Sequence, residues 1–435
     1  MQLEIDKRSS AQHDLLGKAA QLLPGGTLGM FGLPADLAIV PAYGRGSKLY
    51  DVDGNEYIDF LLGSGPLVLG HAHPAVVAAV QEQAAKASTF YFVNEPALEL
   101  AEIMVSAIPC AEKVRFCSSG NEATFFAMRL ARGHTRREKV LKFEGGFHGV
   151  HDYAILSTWP SMPYGSTQPQ PDSAGIPKGA ADTVLISQFN DVETTTAVIE
   201  ANHKDLAAVI VEPFQRSIPP KPGFLNFLRE ITLKYGIDLI FDEVVTGFRF
   251  AWGGAQEYYG VTPDLATFGK IIGGGYPIAA VAGRAEIMDQ CDNSRKGSDD
   301  YVYMTGTLSG NPVSAAAGVA TLKELKGKNL YPRIHRATDM LRSGLQRMFA
   351  DAGLAAQVVG EGGVLQVVFT DRPVENYQDM RSGDRAKAEL LFSTAIQNGL
   401  FMAVADKIYV SAVHSDQDIQ TALRAFKAGV EAIAR

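Results

Sequence analysis

An aspartate and a lysine that lie 28 residues apart have the surroundings of catalytic groups. Asp242 ends the apolar run DLIFD, and Lys270 is followed by the run IIGGG. Burial lowers the pKa of a lysine amine, so that the amine can attack an aldehyde and then act as a base. A buried carboxylate needs a positive partner, such as a protonated pyridine nitrogen. The pair therefore predicts an enzyme that holds pyridoxal phosphate (PLP) as a Schiff base on Lys270, with Asp242 facing the ring nitrogen.

A short turn after another apolar strand offers a place for the phosphate of this cofactor. Ser119, Gly120 and Asn121 follow the strand that begins at Lys113, and they open a helix with apolar residues at helical spacing. Free N–H groups and the positive end of the helix dipole favour an anion there. An ordinary helix cap is the alternative for the same residues. The glycine- and hydroxyl-rich turn around Thr307 is a second candidate for a phosphate contact.

Side chains near the ends of other predicted strands would hold the flat cofactor ring. Phe147 and His148 follow the strand that begins at Lys139, in the region where ligands of open α/β sheets bind. Phe147 would stack on one face of the ring, and Val244 would pack on the other. A phenylalanine in the core is the alternative for Phe147.

Two polar residues follow the apolar strand LAAVIV, where an unpaired charge is unfavourable. Glu212 and Gln215 are predicted either to orient Asp242 or to hydrogen-bond the phenolic oxygen of the cofactor. A structural salt bridge is the alternative for Glu212. No metal is predicted, because His148 and His151 have no obvious further ligands.

The chain between about residues 74 and 310 predicts an α/β fold, because short apolar strands there are separated by helices. The strands begin at Lys113, Lys139, Leu206, Asp238 and Ile278. Continuous runs of Val, Ile, Leu and Ala are typical of strands buried on both faces of a mainly parallel sheet. Helices are expected to flank this sheet.

The length of 435 residues exceeds the usual size of a single core, so two domains are expected. Residues 74–320 are predicted to form the large, cofactor-binding domain. Residues 1–73 and 321–435 are predicted to form a smaller α+β domain from the two ends of the chain. Its short strands and hairpin are predicted at residues 47–60, 363–370 and 407–413.

The charge and the cysteine content exclude several classes of protein. The net charge is −8 and no long basic run occurs, so neither nucleic acid nor an acidic membrane is an expected partner. The three cysteines form no CxxC pair and leave an odd thiol, which favours a reducing compartment. The N-terminal stretch lacks the apolar core of a signal peptide, and no window is apolar enough to span a membrane. A cytoplasmic location is therefore expected.

In combination, these segments resemble the class III, or ornithine-type, aminotransferases of PLP fold type I, and among them the glutamate-1-semialdehyde aminomutase subgroup. The likeness runs over residues 22–418 and is closest in SGNEATFFAMRLARG, KFEGGFHG, FDEVVTGFR and GTLSGNP. The resemblance implies that Lys270 is the Schiff-base lysine, that Asp242 pairs with the pyridinium and that Phe147 stacks on the ring. It also implies a large domain with a mainly parallel sheet and a smaller α+β domain.

The resemblance further implies two contacts to the cofactor's phosphate. Residues 119–121 would form the phosphate loop, and Thr307 would reach the phosphate of a neighbouring subunit. Active sites shared across the interface of a homodimer follow from the second contact.

Departures from the subgroup's pattern bear on the substrate. Aminomutases carry an arginine after the Pro-Gly-Gly motif that holds the substrate carboxylate, whereas residues 27–34 contain none and place Met30 and Phe31 near the matching position. Apolar and aromatic residues predict a pocket for an apolar or aryl group; they are Met30, Phe31, Phe90, Tyr91, Phe92 and Trp159. Arg216 stands where relatives usually have small residues, and it is a candidate carboxylate anchor because its planar fork binds carboxylates through two hydrogen bonds.

From these features, the sequence predicts a PLP-dependent aminotransferase with a ping-pong mechanism. The partners would be small molecules: an amino donor with an apolar or aromatic side, including β- and D-amino acids, and an oxo acid as acceptor. Glutamate-1-semialdehyde 2,1-aminomutase is the alternative, and a PLP-dependent racemase or epimerase is a further one. A nicotinamide dehydrogenase is disfavoured, because no intact G-x-G-x-x-G motif follows a strand and opens a helix.

Overall fold

Helices and strands alternate along most of the chain. The computed structural model describes residues 9–29, 32–161 and 165–435. The helices are α1 (Ser10–Leu22), α2 (Pro74–Lys86), α3 (Glu95–Ala107), α4 (Gly120–Thr135), α5 (Lys178–Ala181), α6 (Val192–Asn202), α7 (Phe224–Tyr235), α8 (Gly254–Tyr259), α9 (Ala285–Met288), α10 (Pro312–Gly327), α11 (Tyr331–Asp351), α12 (Tyr377–Arg381), α13 (Arg385–Gln397) and α14 (Asp416–Ile433). The strands are β1 (Pro41–Arg45), β2 (Lys48–Asp51), β3 (Glu56–Asp59), β4 (Lys113–Cys117), β5 (Lys139–Phe143), β6 (Val184–Ser187), β7 (Leu206–Val211), β8 (Asp238–Asp242), β9 (Leu265–Phe268), β10 (Ala279–Gly283), β11 (Gln357–Glu361), β12 (Val364–Val368), β13 (Leu400–Phe401) and β14 (Ile408–Tyr409). None of the described helices is both long enough and apolar enough to cross a membrane.

The chain divides into two compact units. The larger unit combines Ala75–Asn329 with the short segment Glu375–Met380. The smaller unit combines the chain up to Pro74 with Leu330–Val374 and Arg381–Arg435. Each unit is therefore assembled from segments that are distant in sequence.

A mainly parallel sheet organises the larger unit. Among the described residues, it contains seven strands in the order β4-β10-β9-β8-β7-β5-β6. Strands β6, β5, β7, β8 and β9 pair in parallel, whereas β10 is antiparallel to both β9 and β4. It follows that β4 runs in the same direction as the parallel strands. The predicted α/β fold is confirmed, and the carboxyl ends of β4, β5, β7, β8 and β9 lie along one edge of the sheet.

Burial on both faces explains why these strands have continuous apolar sequences. Every residue of β7 and of β8 is buried. Helix α4 covers part of the sheet, and its Ala127 and Leu130 belong to the same apolar cluster as Val140 and Ile210. Ser119 starts α4 as its N-cap, in a reciprocal arrangement with the helix's third residue.

The smaller unit is an α+β arrangement drawn from both ends of the chain, as the predicted fold class requires. One of its sheets has the order β1-β2-β3-β13, and the other has the order β11-β12-β14. Helices α11, α13 and α14 supply much of its core, in which Phe349, Phe392 and Phe426 are fully buried. Strand β13 pairs in parallel with β3, which joins the two ends of the chain in one sheet.

Helix α10 packs against the 3-10 turn Lys270–Gly273 in the larger unit. A Cβ atom at Gly318 would overlap the carbonyl oxygen of Ile272 and would lie 3.3 Å from Leu100 Cδ2. Because glycine has no side chain, the helix can approach the turn that carries Lys270 closely. The position of that turn thus depends on Gly318.

We expect Gly318→Ala to lower the free energy of unfolding by about 1–3 kcal/mol, because an added methyl group forces the backbone of the turn to move. Gly327→Ala is the matched control in the same helix, since a Cβ there meets nothing within 4 Å. That control should change the free energy by no more than about 1 kcal/mol, in the stabilising direction. Urea denaturation of both variants would measure the difference. Equal stabilities would contradict the close approach at Gly318.

Candidate active site

Asp242 ends β8 as a buried carboxylate with hydrogen-bond donors on both of its oxygens. Oδ1 accepts from the Thr267 hydroxyl at 3.0 Å and from the Val244 amide at 3.2 Å. Oδ2 lies 2.8 Å from Nδ1 of His148, which is also buried. A carboxylate that is bound in this way stays oriented.

The residues that orient Asp242 differ in part from those predicted. Glu212 instead accepts from the amide of Phe147 at 3.3 Å, and Gln215 donates to the Glu144 carbonyl at 2.7 Å. His148 and Thr267 make the contacts that orient Asp242. The prediction that Glu212 or Gln215 orients this carboxylate is therefore corrected. Their other predicted role, contact with the phenolic oxygen of a cofactor, stays a prediction.

Lys270 begins the short turn after β9 in a backbone conformation that is unusual for lysine. Its φ is 49°, in the left-handed region, and Ile271 and Ile272 beside it are buried. A left-handed non-glycine residue costs about 1–3 kcal/mol, which the surrounding packing must offset, and such residues cluster at functional sites. The conformation is therefore an independent reason to place Lys270 in a site.

Three loops meet beside Val244, at the carboxyl ends of the strands. A Cβ added to Gly120 would lie 3.1 Å from both methyl groups of Val244, and one added to Gly269 would lie 3.5 Å from the Val244 Cγ1 atom. The same added atom at Gly269 would lie 3.8 Å from the Gly120 Cα atom. The N-terminus of α4, the loop after Asp242 and the residue before Lys270 are therefore neighbours.

The predicted phosphate loop is a helix cap that still has amides for a ligand. The Ser119 hydroxyl accepts from the Glu122 amide at 3.2 Å, and the Glu122 carboxylate accepts from the Ser119 amide at 3.2 Å. The Asn121 side chain is also engaged, because its Oδ1 accepts from the Val150 amide at 2.7 Å. The first N–H groups of a helix have no acceptor within it, so the amides of Gly120 and Asn121 remain for an anion.

Phe147, Trp159 and Arg216 form a cluster next to this region. The Phe147 and Trp159 rings are 5.8 Å apart, and the Arg216 Cζ atom lies 5.4 Å from the centroid of each ring. Arg216 has a left-handed backbone with φ of 61°, and its Nε donates to the Gly145 carbonyl at 2.6 Å. Its buried Nη2 has no hydrogen-bond partner among the described residues.

The turn at Gly145 is closed by a residue from a distant part of the chain. Gly145 has φ of 79°, and a Cβ atom there would overlap the ring of Tyr377, which is buried. The Asn190 side chain donates to the Glu375 carbonyl at 2.8 Å and thereby helps to hold the same segment. The backbone that leads to Phe147 therefore rests on the segment Glu375–Met380.

Other predicted site residues lie elsewhere or outside the described structure. Tyr91 and Thr307 are exposed on the single chain. Met30 and Phe31 lie outside the described residues, so the pocket predicted from them stays a prediction. Thr267 was not predicted, and the only local signal for it is a hydroxyl residue within the otherwise apolar strand β9.

The comparisons with known proteins identify the family. The family model described as "Aminotransferase class-III" matches residues 34–429. The chain belongs to the class III aminotransferase family. Members of this family depend on PLP, so the predicted cofactor is confirmed.

Solved class III structures have the same fold. An omega-transaminase from Sphaerobacter thermophilus is 35% identical, with a TM-score of 0.92 over 98% of both chains. A transaminase with PLP bound is 29% identical, with a TM-score of 0.89 over 97% of both chains. The chain therefore has PLP fold type I, as the resemblance implied.

Curated relatives point to a reaction other than the one predicted. Glutamate-1-semialdehyde 2,1-aminomutase 2 from Brevibacillus brevis is 41% identical over 97% of this chain and 98% of its own length. Further relatives with the aminomutase name are 39–42% identical. The prediction of an aminotransferase with two substrates is therefore wrong. It depended on the missing arginine in residues 27–34, an absence that did not decide the reaction.

The residues of the site fit the three chemical parts of PLP. The amides of Gly120 and Asn121 suit its phosphate, and the Asp242 carboxylate suits a protonated ring nitrogen. Lys270 supplies an amine on the turn beside Gly269, which is packed against Val244 and Gly120. These assignments remain predictions that substitution can test.

We expect Asp242→Asn to lower turnover by two orders of magnitude or more, because losing one partner of a buried charge pair costs about 3–5 kcal/mol. Thr267→Val removes one hydrogen bond to Asp242 and should cost about 0.5–1.5 kcal/mol, or up to about tenfold in turnover. Thr267→Ser keeps the hydroxyl and is the control. Steady-state kinetics with saturating PLP would measure all three variants. Turnover in Asp242→Asn equal to that of the wild type would refute the role of the carboxylate.

Proposed function

We propose that the protein is a PLP-dependent aminomutase that converts glutamate-1-semialdehyde into its isomer 5-amino-4-oxopentanoate. The observation that carries the proposal is the 41% identity to an aminomutase over 97% of the chain. In this reaction the amino and oxo groups exchange places on one carbon skeleton. No separate amino donor or oxo acceptor is needed, so the reaction replaces the two-substrate transfer predicted from the sequence.

The proposed roles of the chain's own residues follow from where they lie. When bound, PLP supplies an aldehyde that combines with amino groups and a ring that accepts electrons from the adjoining carbon. The Nζ atom of Lys270 takes a proton from one carbon and delivers it to another, which conserves atoms in an isomerisation. Asp242, oriented by Thr267 and His148, keeps a negative charge beside the ring nitrogen. Ile271 and Ile272, which follow the lysine in the chain, are fully buried.

Arg216 is the proposed anchor for the substrate carboxylate. Two aromatic rings and the Gly145 carbonyl hold its guanidinium in place, which lowers the entropy lost on binding. Its Nη2 is buried with no partner among the described residues, and a substrate oxygen would satisfy that donor. A carboxylate suits a planar guanidinium better than any other group of this substrate. In this proposal, Arg216 replaces the arginine that residues 27–34 do not contain.

A homodimer that shares its active sites is also part of the proposal. Phe92 and Val93 are 79% and 81% exposed on the single chain, and Leu308 is 50% exposed. The Asn94 side chain donates to the Gly310 carbonyl at 3.0 Å, which joins these two exposed segments. Apolar side chains exposed together favour burial against a second copy. Thr307 would then reach the phosphate site of that copy, and Tyr91 its substrate.

We expect the purified protein, loaded with PLP, to convert glutamate-1-semialdehyde into 5-amino-4-oxopentanoate with no amino acid or oxo acid added. Nuclear magnetic resonance would identify the product, and Lys270→Ala should form none. Consumption of the substrate only after an oxo acid is supplied, with release of 4,5-dioxopentanoate and of the amino acid formed from the oxo acid, would refute the aminomutase in favour of a transaminase. Inverted configuration without any movement of the amino group would instead indicate a racemase.

We expect Arg216→Met to raise the KM for glutamate-1-semialdehyde by about 10- to 100-fold, because hydrogen bonds to charged groups contribute about 1.5–3 kcal/mol. Arg216→Lys keeps the charge but loses the fork, so its KM should lie between those of the wild type and Arg216→Met. The reaction of bound PLP with n-propylamine, which has no carboxylate, is the internal control and should change little. An unchanged KM in Arg216→Met would show that the carboxylate binds elsewhere.

A further inference from the structure

Lys142 is a second lysine near the site, and it has no part in the reaction proposed above. It lies in β5 and is fully buried. Its Nζ atom lies 2.6 Å from the Ala154 carbonyl, 2.6 Å from the Leu156 carbonyl and 3.0 Å from the Thr158 hydroxyl. A buried ammonium is costly, so the three acceptors are what makes this position tolerable.

These three acceptors belong to one irregular segment that leads to Trp159. The Thr158 hydroxyl also contacts the Gly146 carbonyl at 3.3 Å, on the turn before Phe147. Asp172 holds the end of the segment, because its two oxygens accept from the Thr158 amide at 2.6 Å and the Trp159 amide at 3.0 Å. The segment is therefore fixed from two sides, by Lys142 from the sheet and by Asp172 from the following loop.

Trp159, which follows this segment directly, connects it to the functional site. Its ring packs on Phe147, the predicted stacking residue, and under the guanidinium of Arg216. Loss of the bonds to Lys142 would free the segment that ends at Trp159. The aromatic support of Arg216 would then be lost from one side.

We infer that Lys142 is a positioning residue, whose amine holds the segment from Ala154 to Thr158 so that Trp159 stays against Phe147 and Arg216. The inference about the segment does not depend on the reaction. Its consequence for substrate binding rests on the proposed function, because it works through Arg216.

The protonation of Lys142 gives this role a signature that a simple packing role lacks. Burial lowers the pKa of the Lys142 amine to about 7. The ammonium donates three hydrogen bonds, whereas the neutral amine donates two. The amine holds its proton below that pH and loses it above, so the full set of three donated bonds exists on the acidic side.

The charged groups around Lys142 shift the pKa of its amine in opposite directions. Asp172 and Glu212 favour the ammonium, and Arg216 opposes it. Burial lowers the pKa of His151 to about 3, so that ring stays neutral across the range in which Lys142 titrates. Lys142 therefore combines a pKa near neutral pH with hydrogen bonds to the segment before Trp159.

Tryptophan fluorescence can test this directly, because the chain has only two tryptophans. In the PLP-loaded Trp252→Phe variant, Trp159 is the sole tryptophan, and excitation at a wavelength that tyrosine does not absorb selects its emission. We expect its emission to change with a midpoint near pH 7 when the pH is varied between about 5.5 and 9. Lys142→Met in the same background should abolish the transition and shift the emission towards that of the alkaline form at every pH. A transition that persists in Lys142→Met would overturn the inference.

Lys142→Arg is the matched variant for the case in which Lys142→Met does not fold. Arginine stays charged throughout this range, so the transition should vanish and the emission should stay close to that of the acidic form. A titration near pH 7 in Lys142→Arg would equally overturn the inference, because another group, such as the cofactor, would then be responsible. No substrate is used, so the result is independent of which reaction the enzyme catalyses.

Kinetics would then separate the positioning role from the proposed reaction. We expect Lys142→Met to raise the KM for glutamate-1-semialdehyde by up to about tenfold, because a displaced Arg216 weakens its hydrogen bond to the substrate carboxylate, with a smaller change in kcat. The reaction with n-propylamine should be unaffected. Absence of isomerisation in the wild type would refute the proposed function but leave the fluorescence result standing. An unchanged emission with an unchanged KM would refute the positioning role alone.

Discussion

A carboxylate at the end of a strand that is buried on both faces must receive hydrogen bonds and a positive partner, or its charge is lost. Asp242 imposes this requirement on its surroundings, and several features of the larger unit meet it. Thr267 comes from the neighbouring strand and His148 from the turn after β5, while the Val244 amide belongs to Asp242's own loop. The bonds join three carboxyl ends of the sheet. Val244 also lies against Gly120 at the start of α4 and against Gly269 before Lys270, so the same loop joins the helix N-terminus to the turn that carries the lysine.

Sequence patterns predicted the features that depend on neighbouring residues. Continuous apolar runs located β4, β5, β7, β8 and β10, since burial on both faces leaves no room for polar alternation. Strand β9 was not predicted, because four residues carry too little pattern. The run at residues 407–413 predicted a strand, yet only Ile408–Tyr409 form one, because pairing depends on β12 and not on the run itself. The antiparallel direction of β10 is likewise invisible in its composition.

Within the site too, features set by neighbouring residues could be predicted, whereas contacts between distant residues could not. The placement of Asp242 at a strand end and of residues 119–121 at a helix start could be predicted, because each is a local property. The contact of His148 with Asp242 spans 94 residues, and that of Thr267 spans 25, so neither leaves a signal in one sequence. Arg216 was found by its charge in an unusual place, but its contacts with Phe147 and Trp159 required the folded chain.

The turn at Gly145 ties the cofactor-binding face to the order in which the polypeptide is made. Tyr377 packs against this turn, and Asn190 holds Glu375. The last strand of the large sheet, β10, ends at Gly283, so all of its strands are synthesised well before these two residues. While the ribosome is still adding the residues in between, the backbone before Phe147 has no ring against it. In the nascent larger unit, the turn at Gly145 therefore stays uncovered until the segment Glu375–Met380 emerges. A fragment that stops at Asn329 would leave this turn uncovered permanently. The larger unit therefore cannot be produced intact as one continuous fragment of the chain.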